Sequence, residues 1–297
     1  MKKLLISLSV LMIAGFSLSS CLKEAKVQDP GFNVAETGNN ATALLEIPLD
    51  VYQQADRAIR FQYDSIKSKN KNQASFTFKM GYISLTVSPA DTTTYPKTIT
   101  LDFGTDAANL YQGQMSMIVS GDMRNDRSTC AITYHGLVCS GSSITGTDSI
   151  ISQGKNSSGS ILSHFVMHGG QLKGYNNESV SYTGAIFGKF NVASGVKVLD
   201  TVEINATDAN LNVYRLYSDP KYMLQMNKGC NYFSSGVISA DIKVKGVLTG
   251  NLGYDYGYNS LQDGTINPCD AGGVVYITSK VNSNFNQTSA FYAMGFK

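Results

Sequence analysis

The chain has no tryptophan, three histidines and six prolines in 297 residues, and charged side chains make up only 15% of it. Charged residues usually account for about a quarter of a soluble domain, so this surface has to be built from Ser, Thr, Asn, Gln and Gly. That scarcity excludes a coiled coil or a charged helical bundle. So few prolines leave nearly every backbone N–H able to donate in a sheet ladder. The histidines show no HExxH spacing and the five cysteines no CxxC pair, so no metal set is assigned. No GxSxG elbow and no phosphate-cradling glycine loop occurs. Ser194-Gly195-Val196-Lys197 spells SxxK without its SDN or KTG companions, and Asp102-Phe103-Gly104 spells a kinase triplet without the loops that accompany it. These absences leave no catalytic residue and no cofactor to name.

What is present begins with an address. Lys2 and Lys3 precede an apolar run from Leu4 to about Phe16 and then small residues, the three-part plan of a secretory signal over residues 1–20. Leu18-Ser19-Ser20-Cys21 resembles the bacterial lipobox, in which the cysteine receives lipid and becomes the first residue of the mature chain. Fatty acyl groups of the palmitate kind on Cys21 would anchor it, because each buried CH₂ contributes about 0.8 kcal/mol and two or three chains together hold firmly. The expected location is the outer membrane, on its periplasmic or its surface-exposed face. Removing the signal takes away Lys2 and Lys3 and leaves basic and acidic residues equal in number. A neutral chain has no electrostatic reason to bind nucleic acid.

Export places Cys130, Cys139, Cys230 and Cys269 where disulfides persist. Four cysteines allow three connectivities, and spacing does not choose among them. A turn at Ser140-Gly141 would lay Cys130 and Cys139 along one strand, out of bonding range. A Cys230–Cys269 bridge would staple the C-terminal strands.

Residues 21–48 read as a tether, with Pro30-Gly31 and Gly38-Asn39-Asn40. Residues 49–72 hold the one good helix, from Asp50 as cap to about Ser68, with Val51, Ala55, Ala58, Ile59, Gln62 and Ile66 as its packing stripe. From residue 73 the period becomes two: Ile99, Leu101 and Phe103, then Met115, Met117 and Val119, then Ile238, Ala240, Ile242 and Val244 alternate with polar neighbours. Turn clusters at Ser140-Gly141, Gly169-Gly170, Asn176-Asn177, Ser194-Gly195 and Gly272-Gly273 divide this into roughly a dozen short strands. The expected fold is mainly β, an antiparallel meander or sandwich-like arrangement with one N-terminal helix. Gly81-Tyr82-Ile83-Ser84 before Asp102-Phe103-Gly104 is echoed by Gly236-Val237-Ile238-Ser239 before Asp255-Tyr256-Gly257, which suggests two similar modules, 73–228 and 229–297.

The lipobox, the stretch YPKTITLDFG at 95–104, and Cys230 followed by Asp255-Tyr256-Gly257 and Cys269-Asp270 together resemble a group of lipoproteins of Bacteroidetes-type bacteria with no established activity. The resemblance implies a β-rich envelope lipoprotein and carries over no catalytic residue. In that setting Asp64-Ser65-Ile66, Asp91-Thr92-Thr93, Asp148-Ser149-Ile150 and Asp200-Thr201-Val202 look like three-residue O-glycosylation sites, with Thr92 the best placed, between Pro89 and Pro96.

Two functional readings follow. Tyr254, Tyr256 and Tyr258 alternate and therefore share one face of a strand, where exposed rings could stack on a glycan or an envelope protein partner and buried rings would close the core. The preferred expectation is a non-enzymatic binding or structural lipoprotein. The alternative is an envelope or glycan hydrolase using paired carboxylates such as Asp102 and Asp255, which requires the two to face each other across one cleft.

Overall fold

The computed structural model describes residues 34–67, 74–91, 93–173, 179–230, 233–244, 247–256, 272–281 and 284–293, with side chains as far as Tyr256. All of them belong to one compact unit, 33–297. A single described helix, α1 (Val34–Lys67), precedes fifteen strands. They are β1 (Phe76–Met80), β2 (Ile83–Ser88), β3 (Lys97–Gly104), β4 (Tyr111–Val119), β5 (Asp126–Cys139), β6 (Ser142–Lys155), β7 (Ser160–Lys173), β8 (Ser179–Asn191), β9 (Lys197–Asp208), β10 (Val213–Ser218), β11 (Leu224–Met226), β12 (Gly236–Val244), β13 (Val247–Tyr256), β14 (Gly272–Val281) and β15 (Asn284–Ala293). The fold is mainly β, as the alternation implied. It is one antiparallel meander sheet in chain order, except that β10 lies beside β12 and the short β11 pairs with β9.

The alternation translates directly into burial. Ile99, Leu101, Met115, Met117 and Val119 are inaccessible to solvent and Phe103 nearly so, as are Ile238, Ala240 and Ile242 farther along. Each of these side chains other than Ala240 contributes about 1.5–3 kcal/mol. The Ser140-Gly141 turn joins β5 to β6 with φ of 48° and 79°, the two-residue mirror-image turn whose twist matches the flanking strands. Cys130 and Cys139 accordingly lie along one strand, free and buried.

Several boundaries differ from expectation. Gly169-Gly170 does not turn the chain but sits inside β7, and Gly272-Gly273 opens β14. Asn176-Asn177 lies outside the described residues. The strands are therefore longer than composition suggested, with β5, β6 and β7 of 14 residues each. Their regularity is broken along one line, by register shifts at Asp102/Gly104, Gln112/Gln114, Thr133/Leu137, Gly146/Asp148 and Met167/Gly170 on successive strand pairs. Each shift bends its strand and raises the local twist. A Cβ on Gly113 would lie 2.2 Å from the Gly136 carbonyl oxygen, and one on Gly146 2.5 Å from that of Gly169. Glycine is thus required where the bent strands touch, and "turn" glycines in the sequence are bend glycines in the sheet.

The expected boundary between two β modules at 228/229 is crossed by the ladder itself, since β10 pairs with β12 from Val213↔Lys243 to Ser218↔Ile238. The sequence echo maps onto two antiparallel pairs in different register. Ser84 faces Asp102 on β2 and β3, whereas Ser239 faces Gly253 and Asp255 faces Val237 on β12 and β13.

Helix α1 begins at Val34, so much of the expected tether is helical, and Asp50 is an interior residue rather than a cap. The stretch was misread because Gly38-Asn39-Asn40 and Pro48 are poor helix formers. Proline inside a helix costs roughly 3 kcal/mol. Here Leu44, Leu45, Ile47, Leu49 and Val51 are all buried around Pro48, and their packing offsets that cost. Apart from exposed Arg57, the helix positions whose burial is described are buried or half-buried, as in a helix that lies inside a core rather than on it. Its neighbours bear this out: Phe61 meets Phe78 of β1, Tyr52 meets Phe165 of β7, and Asn40 and Thr42 reach the hydroxyls of Tyr214 on β10 and Tyr254 on β13. The sheet curls around the helix, and the stripe from Val51 to Ile66 is buried against it. No described helix is long and apolar enough to cross a membrane.

Candidate binding cavity

Where α1 faces β6 to β9, a cavity of about 180 Å³ opens. Helical periodicity brings Tyr52, Asp56, Ile59 and Arg60 to one side of it, and inward strand positions supply Ile150, Ser152, Ile161, Ser163 and Lys197. Phe190 and Val192 at the end of β8, and Met123 before β5, complete its apolar wall.

Its charges are unusual for so apolar a place. The Asp56 carboxylate takes the Lys197 ammonium at 2.8 Å on Oδ2, and the same oxygen accepts from Arg60 Nη2 one helical turn on. Burial pushes the Asp56 carboxyl up, but Arg60 and Lys197 together outweigh it and hold the group below its ordinary range. Lys197 is lowered by burial, with Asp56 opposing. The Lys197 ammonium lies 4.1 Å from the centre of the Tyr52 ring, and the Arg60 guanidinium 4.0 Å from that of Phe190, so both cations also face aromatic π-clouds. Arg60 Nη1 is buried and has no hydrogen-bond partner among the described residues. Ser163 and Tyr52 share a 2.7 Å hydrogen bond, and Ser152 donates to the Met123 carbonyl oxygen at 2.8 Å. Neither serine is engaged by a base among the described residues.

Toward its N-terminus the same helix carries a second polar region. Burial, then Asp50, raises Glu46 to about 7, and burial raises Asp50 to about 6 against a hydrogen bond from Gln54. Burial, Asp50 and Glu46 push the Cys139 thiol up, which leaves it a poor nucleophile. In the sheet, Asp148 is raised by burial to about 6 and accepts the Tyr134 hydroxyl.

The residues singled out in the sequence fall elsewhere. Cys21, Thr92, Tyr258 and Cys269 lie outside the described residues. Beside Thr92, Asp91 Oδ1 accepts the Thr93 N–H at 2.7 Å, and Thr93 is exposed. Cys230 is disulfide-bonded. Tyr254 and Tyr256 do share a face, but it is the inner one. Tyr254 is fully buried with its hydroxyl 3.0 Å from Thr42 Oγ1, and Tyr256 packs edge-on against Phe233, so neither offers its ring at the surface. The reason is the inner helix, which gives inward tyrosines an apolar bed and hydroxyl partners. Asp102 accepts the Gly104 N–H at 2.9 Å at the end of β3. Asp255 stands on β13 in the wall of a separate cleft with Lys189 and Tyr222, from which Asp102 is absent. The two carboxylates are not brought together. His164 stacks on Phe187 at 3.8 Å and His168 bonds Ser149, which makes them ordinary sheet residues. Among the described residues no three His, Cys, Asp or Glu side chains converge as a metal set. Ser194, the serine of the SxxK string, accepts the Val196 N–H within its turn, while Lys197 points to Asp56.

Sequence reasoning passed over Arg60 and Asp56 and met Lys197 only as the lysine of the SxxK string. Two signals were there to be read: Asp56 and Arg60 stand at i, i+4, and Lys197 occupies the inward parity of β9 with Leu199. A cation at a core position requires a partner, and the partner was one helix away.

Compared with known proteins, the chain matches no family model, no curated protein and no solved structure.

Proposed function

We propose that this is a lipid-anchored outer-membrane protein, held by acyl chains on Cys21, whose folded part is a non-enzymatic binding module with its ligand seat in the α1 cavity. The observation that carries the binding reading is the cavity itself: apolar walls, with two cations held at its edge by a single carboxylate. Ligand sites are concave, mostly apolar and oriented by a few polar groups, and this cavity has that composition. The anchor reading rests on Leu18-Ser19-Ser20-Cys21 placed behind Lys2, Lys3 and an apolar run. The hydrolase alternative loses ground because Asp102 and Asp255 line different parts of the surface.

Two measurements test the proposal. Growth with an alkyne-tagged palmitate should label the wild type and not Cys21→Ser, and labelling that survives the substitution would refute the anchor. Ligand-observed NMR with the neutral apolar probe 3-phenylpropanol should detect binding that Ile161→Phe, which fills the cavity, removes. Binding indifferent to that substitution would refute the seat.

A further inference from the structure

We infer that the α1 cavity seats a small organic monocarboxylate, an apolar body the size of one aromatic ring or a short acyl chain whose carboxylate rests on Arg60 and Lys197. This rests on the binding reading above and adds the chemistry of the ligand.

Size sets the first limit. The cavity measures about 180 Å³, and an apolar cavity of about 150 Å³ accepts benzene. Ile59, Ile150, Ile161 and Phe190 provide an apolar bed for such a body, and exposed Val192 marks its open side.

Charge sets the second. Among the described residues Arg60 and Lys197 share the single carboxylate of Asp56, so that group carries one positive charge more than its described partners balance, in a half-enclosed apolar place. The other two cations in the wall are already matched, Lys189 with Asp200 at 2.9 Å and Arg124 with Asp122. The surplus therefore belongs to the Arg60–Lys197 end. One surplus charge suits a monoanion, whereas a phosphate monoester would arrive with nearly two.

The third observation concerns geometry. Arg60 gives one side of its guanidinium to Asp56 and keeps Nη1 buried without an acceptor. A planar guanidinium presents several N–H donors in a fixed fork, and a carboxylate is the acceptor that matches it. A second carboxylate beside Asp56 would satisfy Nη1 and neutralise the surplus together. The ring of Phe190, its centre 4.0 Å from the guanidinium carbon, holds the fork against the cavity wall.

The test uses the exported chain carrying Cys21→Ser, purified without detergent because detergent would compete for an amphipathic site. Its probes are 3-phenylpropionate and 3-phenylpropanol, which share a body and differ in charge. Titration calorimetry of this otherwise native chain should show the carboxylate at least tenfold tighter than the alcohol. Arg60→Gln should erase the advantage of the carboxylate over the alcohol. Equal affinities for the two probes, full carboxylate affinity in Arg60→Gln, or tighter binding of phenyl phosphate would each overturn the inference while the binding reading stands. Failure of both probes to bind the otherwise native chain would overturn the two together. The comparison of probes needs no Arg60 variant, so it decides the matter even if Arg60→Gln does not fold.

Discussion

Glu46, Asp50 and Asp56 follow one another along α1, all enclosed by the sheet, yet the two ends of that stretch treat a carboxyl group in opposite ways. Among the described residues no cation counters burial around Glu46 and Asp50, and Glu46 is pushed up to about 7 and Asp50 to about 6, so both keep a proton well above the ordinary carboxylate range. At Asp56 the same burial is overcome by Arg60 and Lys197, and the group stays ionised. Enclosure alone therefore does not decide the charge of a buried acid. The neighbours supplied by the facing strands do, and β9 brings Lys197 to one end only.

The largest effect should come from breaking the charged end. Asp56→Ala leaves Arg60 and Lys197 facing each other without a carboxylate, and urea denaturation should show a loss of about 3 kcal/mol. A loss below about 1 kcal/mol would mean that the two cations find water instead.

The neutral end should respond to pH with the opposite sign. In the unfolded chain Glu46 ionises near its ordinary 4.5, but in the folded protein it keeps its proton to about 7. The folded state thus binds the proton more tightly, so stability falls as pH rises from about 4.5 to about 7 and is level above that. Asp50 adds a fall of the same sign between about 3.8 and about 6. Asp56 acts in reverse, since its lowered pKa contributes stability above the ordinary carboxylate range that disappears as acid protonates it. Glu46→Gln should therefore be close to neutral at pH 4 and stabilise by about 2 kcal/mol at pH 8, flattening the denaturation profile. An unchanged profile would place water or a cation beside Glu46.

A smaller effect is expected between the two ends. Tyr52 lies under the Lys197 ammonium and shares its hydroxyl with Ser163. Tyr52→Phe keeps the ring and removes the hydrogen bond, for about 1 kcal/mol by thermal denaturation. Least of all should be Arg215→Ala on the wet face, where Arg215 meets Glu203 at 3.4 Å with both side chains about half exposed. A change within about 0.5 kcal/mol is expected there, which sets the scale for ion pairs lacking the enclosure around α1.

How legible was this in the sequence? The strands were, because rows such as Ile99, Leu101 and Phe103 alternate strictly and alternation has one physical meaning. The Ser140-Gly141 turn was, because a pair that tolerates positive φ between two such rows makes a hairpin. The first half of α1 was not, because Pro48 and Gly38 speak against a helix locally and only the surrounding sheet overrides them. Glycines at a line of bulges look like turn glycines until the neighbouring strands are in place. The cavity was the least readable of all, since Arg60 and Lys197 are unremarkable cations until the fold sets both on one carboxylate. Tyr254 and Tyr256 share one face as their spacing implied, but which side of the sheet they occupy depends on a helix more than two hundred residues earlier.

Whether one enclosed helix holds an ionised carboxyl at one end and a protonated one at the other can be read from side-chain carboxyl ¹³C titration of Asp56 and Glu46. Asp56 should already be ionised at pH 4 and Glu46 should titrate near 7. Titration of both groups near pH 4 would contradict it.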